Sequence, residues 1–326
     1  MNEHFVARNE CPGCGSGLTV ELCRAPYSQP PLRQYLIDFY SPQGKVDHGF
    51  LRDQDYVLRE CMDCGLIYQG EIPGDSLMRK VYEEWIDPRK SFDLYERTRG
   101  INSFAVLSAE IIEIVRLFDR APMELAFLDF SMGWGHWCRI AQSFGCAVHG
   151  TEFSPSRIEY ARSTGVRVIS YAEIASHRYD FINTEQVFEH LPEIRASLAY
   201  LKGSLKPGGL LKISVPDGAD IKRRLKVWDW RALKNSPDSL NPVAPLEHIN
   251  CFHHAALVRL AAGAGLVPYA GPPAATRPCP GGFAETAKAL LRPYWRRLKR
   301  ANPSPANRGT SMLFQDGTAL HPRGVP

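Results

Sequence analysis

The chain has 326 residues, 44% of them hydrophobic and 23% charged, with a formal net charge of +4. That length accommodates a small domain beside one full α/β domain, and the composition is ordinary for a globular protein. The charge is too low over this length to argue for nucleic-acid binding. No apolar run reaches the roughly 18 residues of a membrane span. Met1-Asn2-Glu3-His4-Phe5 lacks the basic and apolar start of an export signal, so a cytoplasmic protein is expected.

Two knuckles come first in the chain: Cys11-Pro12-Gly13-Cys14-Gly15 and Cys61-Met62-Asp63-Cys64-Gly65. Four thiolates in two CxxC pairs suit a closed tetrahedral zinc site, which is structural because no coordination position stays open. Gly15 and Gly65 let backbone amides turn back on the sulfur atoms. Without an export signal, this pattern favours metal over disulfides. Cys23, Cys138, Cys146, Cys251 and Cys279 are scattered and read as ordinary packing residues. Residues 1–72 are therefore expected to form a zinc-binding module, with a strand-like alternation at Tyr56–Glu60. A helical linker over 73–104 follows, including a mildly amphipathic stretch at Ser76–Tyr82. Asn102-Ser103 is then expected to cap a helix whose apolar stripe is Ile111, Ile112, Ile114, Val115 and Phe118.

From about residue 125 strands alternate with helices. The strands are placed at Leu125–Phe130, Ala147–Glu152, Val166–Ser170, Asp180–Thr184 and Leu210–Val215. The helices between them are placed at Gly135–Phe144, Pro155–Ser163 and Arg195–Leu205. This alternation predicts a Rossmann-like, doubly wound α/β sheet over 105–316. A polar and basic excursion follows Pro216 as far as about Leu246. After it come a helix at His254–Ala264, a strand near Leu266–Tyr269, a helical pattern at Phe283–Arg300 and a short strand at Ser311–Phe314. Residues 317–326 read as a disordered tail.

The first strand of this region ends at Asp129 and runs into Phe130-Ser131-Met132-Gly133-Trp134-Gly135. Gly133 and Gly135 permit a tight turn and close approach of a ligand, and a helix starts just beyond with its positive pole facing that ligand. Glu152 closes the next strand, where a carboxylate can accept bonds from both hydroxyls of a ribose. The dinucleotide pattern G-x-G-x-x-G fits poorly. Counted from Gly133 its third glycine falls on Cys138, and counted from Ser131 on His136, which points to a ligand without phosphates.

These residues resemble the class I S-adenosylmethionine-dependent methyltransferases. Asp129–Gly135 matches their first motif with Ser131 in place of its first glycine. The resemblance continues through Tyr179-Asp180-Phe181-Ile182, Glu189-His190-Leu191 and the turn Leu205-Lys206-Pro207-Gly208-Gly209. It extends to Glu247-His248-Ile249-Asn250-Cys251-Phe252. It implies that Gly133 and Gly135, with Ser131, pass the methionine part of the cofactor. Asp129 orders its ammonium directly or through water, and Glu152, beside Phe153, holds the ribose. Tyr171 or Ala172 meets the adenine, and Glu185 and Gln186 line the boundary between cofactor and acceptor. Trp134, bulky for this turn, encloses the methionine end. The pairing of the cysteine module with this domain resembles a group that includes sugar C-methyltransferases. The acceptor implied is a small molecule, a nucleotide-linked or glycan sugar or a secondary metabolite.

Methyl transfer to a hydroxyl or carbon acid needs a base, and imidazole titrates near working pH. His248, after the excursion, is the expected base. His190, at the C-terminal edge of the sheet, is the second candidate, and His253 and His254 are read as helix-entry residues. The excursion Lys222–Arg231 is read either as a solvated helix face or as a lid for an anionic acceptor, and the second basic run, Arg292–Arg300, as the outer face of a late helix. Two other functions compete: a nucleic-acid methyltransferase gripping phosphates through its basic stretches, and a non-catalytic binding protein built on the zinc module. Against the first, Asn183-Thr184-Glu185-Gln186 is not an Asn/Asp-Pro-Pro-Tyr/Phe-like stretch.

Overall fold

The structure, a computed structural model, describes residues 3–98, 100–271 and 309–320. The helical pattern at 283–300 with its basic run, Cys279, and residues 321–326 of the tail lie outside the described residues.

The N-terminal part contains β1 (Phe5–Ala7), β2 (Thr19–Pro26), α1 (Leu32–Tyr40), β3 (Asp55–Cys61), β4 (Ile67–Gln69), β5 (Glu71–Pro73), α2 (Asp75–Lys80), α3 (Pro88–Thr98) and α4 (Ile101–Val115). The αβ part follows with β6 (Ala126–Asp129), α5 (His136–Ser143), β7 (Ala147–Gly150), α6 (Pro155–Ser163), β8 (Arg167–Val168), β9 (Tyr179–Glu185), α7 (Ile194–Gly203) and β10 (Leu205–Pro216). It ends with α8 (Ile221–Val227), β11 (Asn250–Cys251), α9 (His254–Gly263), β12 (Leu266–Pro268) and β13 (Gly309–Asp316). Among the described residues no helix is long and apolar enough to cross a membrane.

The central sheet has seven strands in the order β12-β13-β10-β9-β6-β7-β8. Strands β8, β7, β6, β9 and β10 run parallel, while β13 is antiparallel to β10 and to β12. Phe127 and Leu128 on β6 are fully buried, as expected of a strand covered on both faces. The chain leaves β6 toward β7 on one side and returns with β9 on the other. The C-terminal end of β6 is thus the topological switch point, where open α/β sheets place their ligands.

Three local expectations are corrected. The Leu205–Gly209 stretch is not a turn preceding the strand: Leu205 already pairs with Tyr179, and an irregularity follows before Leu210 pairs with Phe181. Gly208, at φ 76°, absorbs that irregularity. Helix α4 is preceded by Gly100 as its cap, one residue ahead of the first helical position, so Asn102 and Ser103 lie inside its first turn. Gly317–Leu320 forms a short 3-10 turn at the start of the segment read as a disordered tail.

The N-terminal part does not close on itself at residue 72. Its four-stranded antiparallel sheet has the order β11-β4-β3-β2, and β11 comes from beyond the central strands. Asn250 pairs with Tyr68 and Cys251 with Ile67. The excursion exposes Lys222, Arg223 and Lys226, as the solvated-face reading expects, but its apolar part is packed. Trp230, Leu240, Val243 and Leu246 are buried in one core with Tyr27, Leu36, Tyr40 and Tyr56 of the N-terminal part. Arg224 is buried and donates to the carbonyls of Asp217, Ala219 and Ser239. Lys222 pairs with Glu60 at 2.6 Å and Arg223 with Asp238 at 2.7 Å. Aromatic burial, not charge, shapes this segment.

Candidate active site

The glycine turn is bound to the end of β7. Ser131 and Gly133 both have φ of 58° and Gly135 has 75°. Ser131 N–H donates to Thr151 Oγ1 at 3.1 Å, Met132 N–H to Thr151 O at 2.8 Å and Gly133 N–H to Glu152 Oε2 at 3.0 Å. A Cβ on Gly135 would sit 3.3 Å from Ala161 and Val166, whereas one on Gly133 would meet nothing within 4 Å. Gly135 is therefore demanded by packing as well as by its backbone angle, and Gly133 faces open space. Gly150, which sequence reasoning passed over, leaves room for Met132, whose sulfur would lie 2.0 Å from an added Cβ.

Asp129 ends β6 beneath the glycine turn. It is 3% exposed and accepts from Asn183 Nδ2 at 2.8 Å and from the Cys138 thiol at 3.6 Å. Burial pushes its carboxyl up to about 7, against the opposing pull of those two donors. With one oxygen bonded by Asn183 and the other by Cys138, it fastens β6 to β9.

The Glu152 carboxylate accepts at Oε1 from the amides of Phe153 (2.8 Å) and Ser154 (3.1 Å), as well as holding Gly133. Arg157 lies 3.8 Å from its Oε2. Phe153 is 69% exposed. Its ring centroid is 6.4 Å from that of Tyr171, which stacks on Tyr200 at 4.7 Å. Ala172 begins a short 3-10 turn beside Tyr171. Trp134 is buried at the other side of the turn against Phe92 of α3 and Tyr160 of α6, with Arg157 over its ring.

Glu185 and Gln186 divide. Glu185 is bonded by Lys212 Nζ at 2.6 Å and Ser214 Oγ at 2.9 Å, on the rim of a cleft of about 460 Å³ that Glu110 and Met312 also line. Gln186 takes φ 55° and its amide bonds Ser214 O, turning the chain out of β9.

That turn leads to the two histidines, which the fold brings together: their ring centroids lie 4.9 Å apart. His190 Nδ1 donates to Glu247 O at 2.9 Å, with the Tyr82 hydroxyl 3.3 Å from the same nitrogen. His248 Nδ1 donates to Asn241 O. A carbonyl only accepts, so each Nδ1 carries the proton and each Nε2 keeps its lone pair. Burial lowers His190 to about 4, opposed by its bond to the Glu247 backbone, and drives His248 well below its ordinary value. Both rings are neutral at pH 7. Glu247 does not orient His248; its carboxylate accepts from Tyr40 OH at 2.6 Å.

Glu189 is 1% exposed, and its two oxygens have no hydrogen-bond partner among the described residues. Burial pushes it up to about 8. Its Oε1 is 3.8 Å from His190 Nε2. The segments carrying these groups are clamped by Asn250, whose Nδ2 donates to Phe188 O at 3.0 Å and Leu191 O at 2.7 Å. Arg8 Nη1 in turn donates to Asn250 Oδ1 at 2.8 Å, which fixes the amide's orientation. Sequence reasoning missed Arg8, Tyr82 and this role of Asn250. Only Asn250 carried a signal, by lying inside Glu247–Phe252.

The four module cysteines converge. Cys11 and Cys64 sulfurs are 3.5 Å apart, as are those of Cys14 and Cys61, and all four lie within 4.8 Å of one another. In both knuckles the glycine amide returns to the first cysteine's carbonyl, Gly15 to Cys11 at 2.8 Å and Gly65 to Cys61 at 2.9 Å. Gly13 N–H also donates to Cys11 Sγ at 3.3 Å. A tetrahedral ion with bonds of about 2.3 Å spaces its sulfurs by about 3.8 Å, so this donor set fits zinc. His253 Nε2 donates to Gly65 O at 3.0 Å, joining the second knuckle to the entry of α9.

Comparison with known proteins bears on this arrangement. Residues 106–270 match the family described as a methyltransferase domain. The chain belongs to that family. The methyltransferase domain is of the class I, S-adenosylmethionine-dependent kind, with its glycine turn at the switch point of the sheet. The chain is similar to the ubiquinone biosynthesis O-methyltransferase of Paramagnetospirillum magneticum (strain ATCC 700264 / AMB-1), 27% identical over 161 residues, covering 45% of this chain and 61% of that one. It is also similar to the protein of the same name from Chelativorans sp. (strain BNC1), 28% identical over 162 residues, covering 44% and 60%. The match thus spans about three-fifths of each of these relatives. Among solved structures, the plantazolicin methyltransferase BpumL in complex with SAH is 17% identical, with a TM-score of 0.47, over 74% of this chain and 94% of that one.

Proposed function

We propose that the protein transfers a methyl group from S-adenosylmethionine to a small-molecule acceptor bearing a hydroxyl or acidic carbon, a sugar or secondary metabolite. The observation that carries this reading is the Ser131–Gly135 turn held against Glu152 at the switch point of the sheet. The two curated relatives are named for methylating oxygen on a small molecule, which supports the acceptor class.

When bound, the cofactor supplies an electrophilic methyl on a sulfonium sulfur. Gly133, open on its Cα side, lets the methionine part approach the turn, and Ser131 and Gly135 set the turn's path. Glu152 takes the ribose hydroxyls with the oxygen lone pairs its amide donors leave free. Phe153, with Tyr171 and Ala172 beyond it, offers the adenine an apolar slot, and Gln186 borders the acceptor. His248 accepts the acceptor proton at Nε2 while the acceptor atom attacks the methyl in line. His190 packs across its ring and keeps it turned toward the acceptor. Zinc on Cys11, Cys14, Cys61 and Cys64 staples the N-terminal sheet that carries β11, two residues beyond His248.

Calorimetry with the cofactor tests the cradle. Glu152→Ala is expected to weaken binding by about 1.5–3 kcal/mol, the range of a hydrogen bond to a charged group. Unchanged affinity removes Glu152 from the site. With an acceptor in hand, His248→Ala is expected to cut turnover by about 10²–10⁴-fold at constant cofactor affinity. A loss confined to His190→Ala reverses the assignment of the base.

A further inference from the structure

We propose that Glu189, His190 and His248 form a second metal site, separate from the four cysteines, which takes a divalent first-row transition cation and leaves positions open for an acceptor oxygen. One carboxylate oxygen and a ring nitrogen of each histidine lie within 4.8 Å of one another. Two ligands at about 2.1 Å from one ion are at most about 4.2 Å apart, so small side-chain rotations close the set.

Three features of the surroundings match what a ligand set requires. The first is the tautomer. Metal-binding histidines typically donate their other N–H to a carbonyl or carboxylate, which fixes the ring. Both Nδ1 atoms here do so, to Glu247 O and Asn241 O, leaving both Nε2 lone pairs for an ion. The second is the carboxylate. Glu189 is almost wholly enclosed, yet neither of its oxygens has a hydrogen-bond partner among the described residues. Glu247 and Glu185, the acids nearby in sequence or charge, are occupied by Tyr40 and by Lys212 with Ser214. Lys234 acts on Glu189 only at a distance. The third is rigidity. Asn250 Nδ2 donates to the carbonyls of Phe188 and Leu191, on either side of Glu189-His190, and its backbone N–H donates to Glu189 O at 3.0 Å, which holds the segment in place.

Two imidazoles and one carboxylate favour manganese, iron, cobalt or zinc over calcium and magnesium, and three protein ligands leave coordination open. The inference deepens the methyl-transfer reading and rests on it for its purpose. His248 would act on the acceptor through the ion, which would make a bound hydroxyl more acidic by lowering its pKa, so that its proton passes to solvent, in place of direct abstraction.

The test is a titration of the zinc-loaded full chain with Mn²⁺, followed by calorimetry and electron spin resonance. Mn²⁺ prefers nitrogen and oxygen donors and leaves the thiolates to zinc. One equivalent is expected to bind the wild type, with at least tenfold weaker binding in Glu189→Gln and in His248→Ala and partial recovery in Glu189→Asp. Circular dichroism of each variant guards against loss of fold. No Mn²⁺ uptake by the wild type, or uptake unaltered in both variants, overturns the site. Cofactor calorimetry on the same samples separates the two readings. Cofactor binding without Mn²⁺ leaves His248 as the direct base, whereas Mn²⁺ binding without cofactor binding removes the methyl-transfer reading alone.

Discussion

Two buried carboxylates bracket β9, and the chain treats them in opposite ways. Asp180, at the start of the strand, is saturated: it accepts from Ala126 N–H at 2.8 Å, from Lys206 at 2.7 Å and from Arg120. Glu189, four residues past the strand's end, has no such partner. Burial alone would raise Asp180, but the Ala126 amide, Lys206 and Arg120 outweigh it and hold the carboxyl below its ordinary value. Nothing outweighs burial at Glu189, which stands near 8. At the N-terminal edge of the sheet the protein supplies every partner itself. At the C-terminal edge it leaves a polar group waiting, which is the pattern expected of a site that something else completes. The four cysteines fall on the Glu189 side of this divide, as donors turned toward one another, three of them buried and Cys14 exposed.

The largest effect is expected where the waiting groups are structural. Cys61→Ser should abolish zinc retention and destabilise the N-terminal sheet by several kcal/mol, since binding energy at such sites reaches about 10–16 kcal/mol in small zinc modules. Hydrogen exchange at Ile67–Gln69 and Asn250–Cys251 is the direct readout, because the two strands pair. Metal analysis finding no zinc in reduced wild-type protein, or unchanged protection in the variant, would place the cysteines with Asp180 as self-sufficient packing.

A smaller effect is expected at Asp180. Asp180→Asn keeps the bond from Ala126 but loses the ionic bonds to Lys206 and Arg120, at a cost of about 2 kcal/mol at neutral pH. The sign with pH follows from the lowered carboxyl. Folded Asp180 stays ionised where the unfolded one, near 3.8, takes up a proton. Its stabilisation is therefore complete at neutral pH and is lost as pH falls below about 4 toward the folded value. Wild type and variant should converge in acid denaturation; a gap independent of pH would mean that packing, not charge, separates them.

The same division governs what could be read from sequence. The glycine turn, the knuckles and the strand–helix alternation are local, so contiguous residues carry them: Gly133 and Gly135 announce the turn, and Pro155–Ser163 is a helix with the bounds its pattern predicted. Partnerships made by topology carry no local mark. Arg8 and Asn250 are 242 positions apart, and only the pairing of β4 with β11 brings them together. Asp129 is legible as the end of the strand before the turn, but its own partners are not. One of them, Asn183, lies on a strand 54 residues away. In the basic excursion Lys222, Arg223 and Lys226 are exposed, as a solvated face predicts, but Arg224 is buried and Trp230, Leu240 and Val243 beyond it anchor the segment in the N-terminal core, a partnership with no local mark.

The smallest expected effect on stability, and the one that decides the comparison, is at Glu189. Removing one partner from a satisfied buried pair is costly because the other is left unpaired. Glu189 has no protein partner to strand, so Glu189→Gln, close to it in shape and uncharged, should change stability in metal-free buffer by less than about 1 kcal/mol, or raise it by relieving the burial of an acid. Chemical denaturation beside Asp180→Asn supplies the measurement. Two variants of the same kind, carboxylate to amide at buried positions, one at the start of β9 and one four residues past its end, should then differ in sign or by more than about 1 kcal/mol. Equal destabilisation would show that Glu189 is paired in solution and that the two edges of the sheet are alike. A neutral Glu189→Gln that also loses turnover would assign the carboxylate to the reaction and not to the fold.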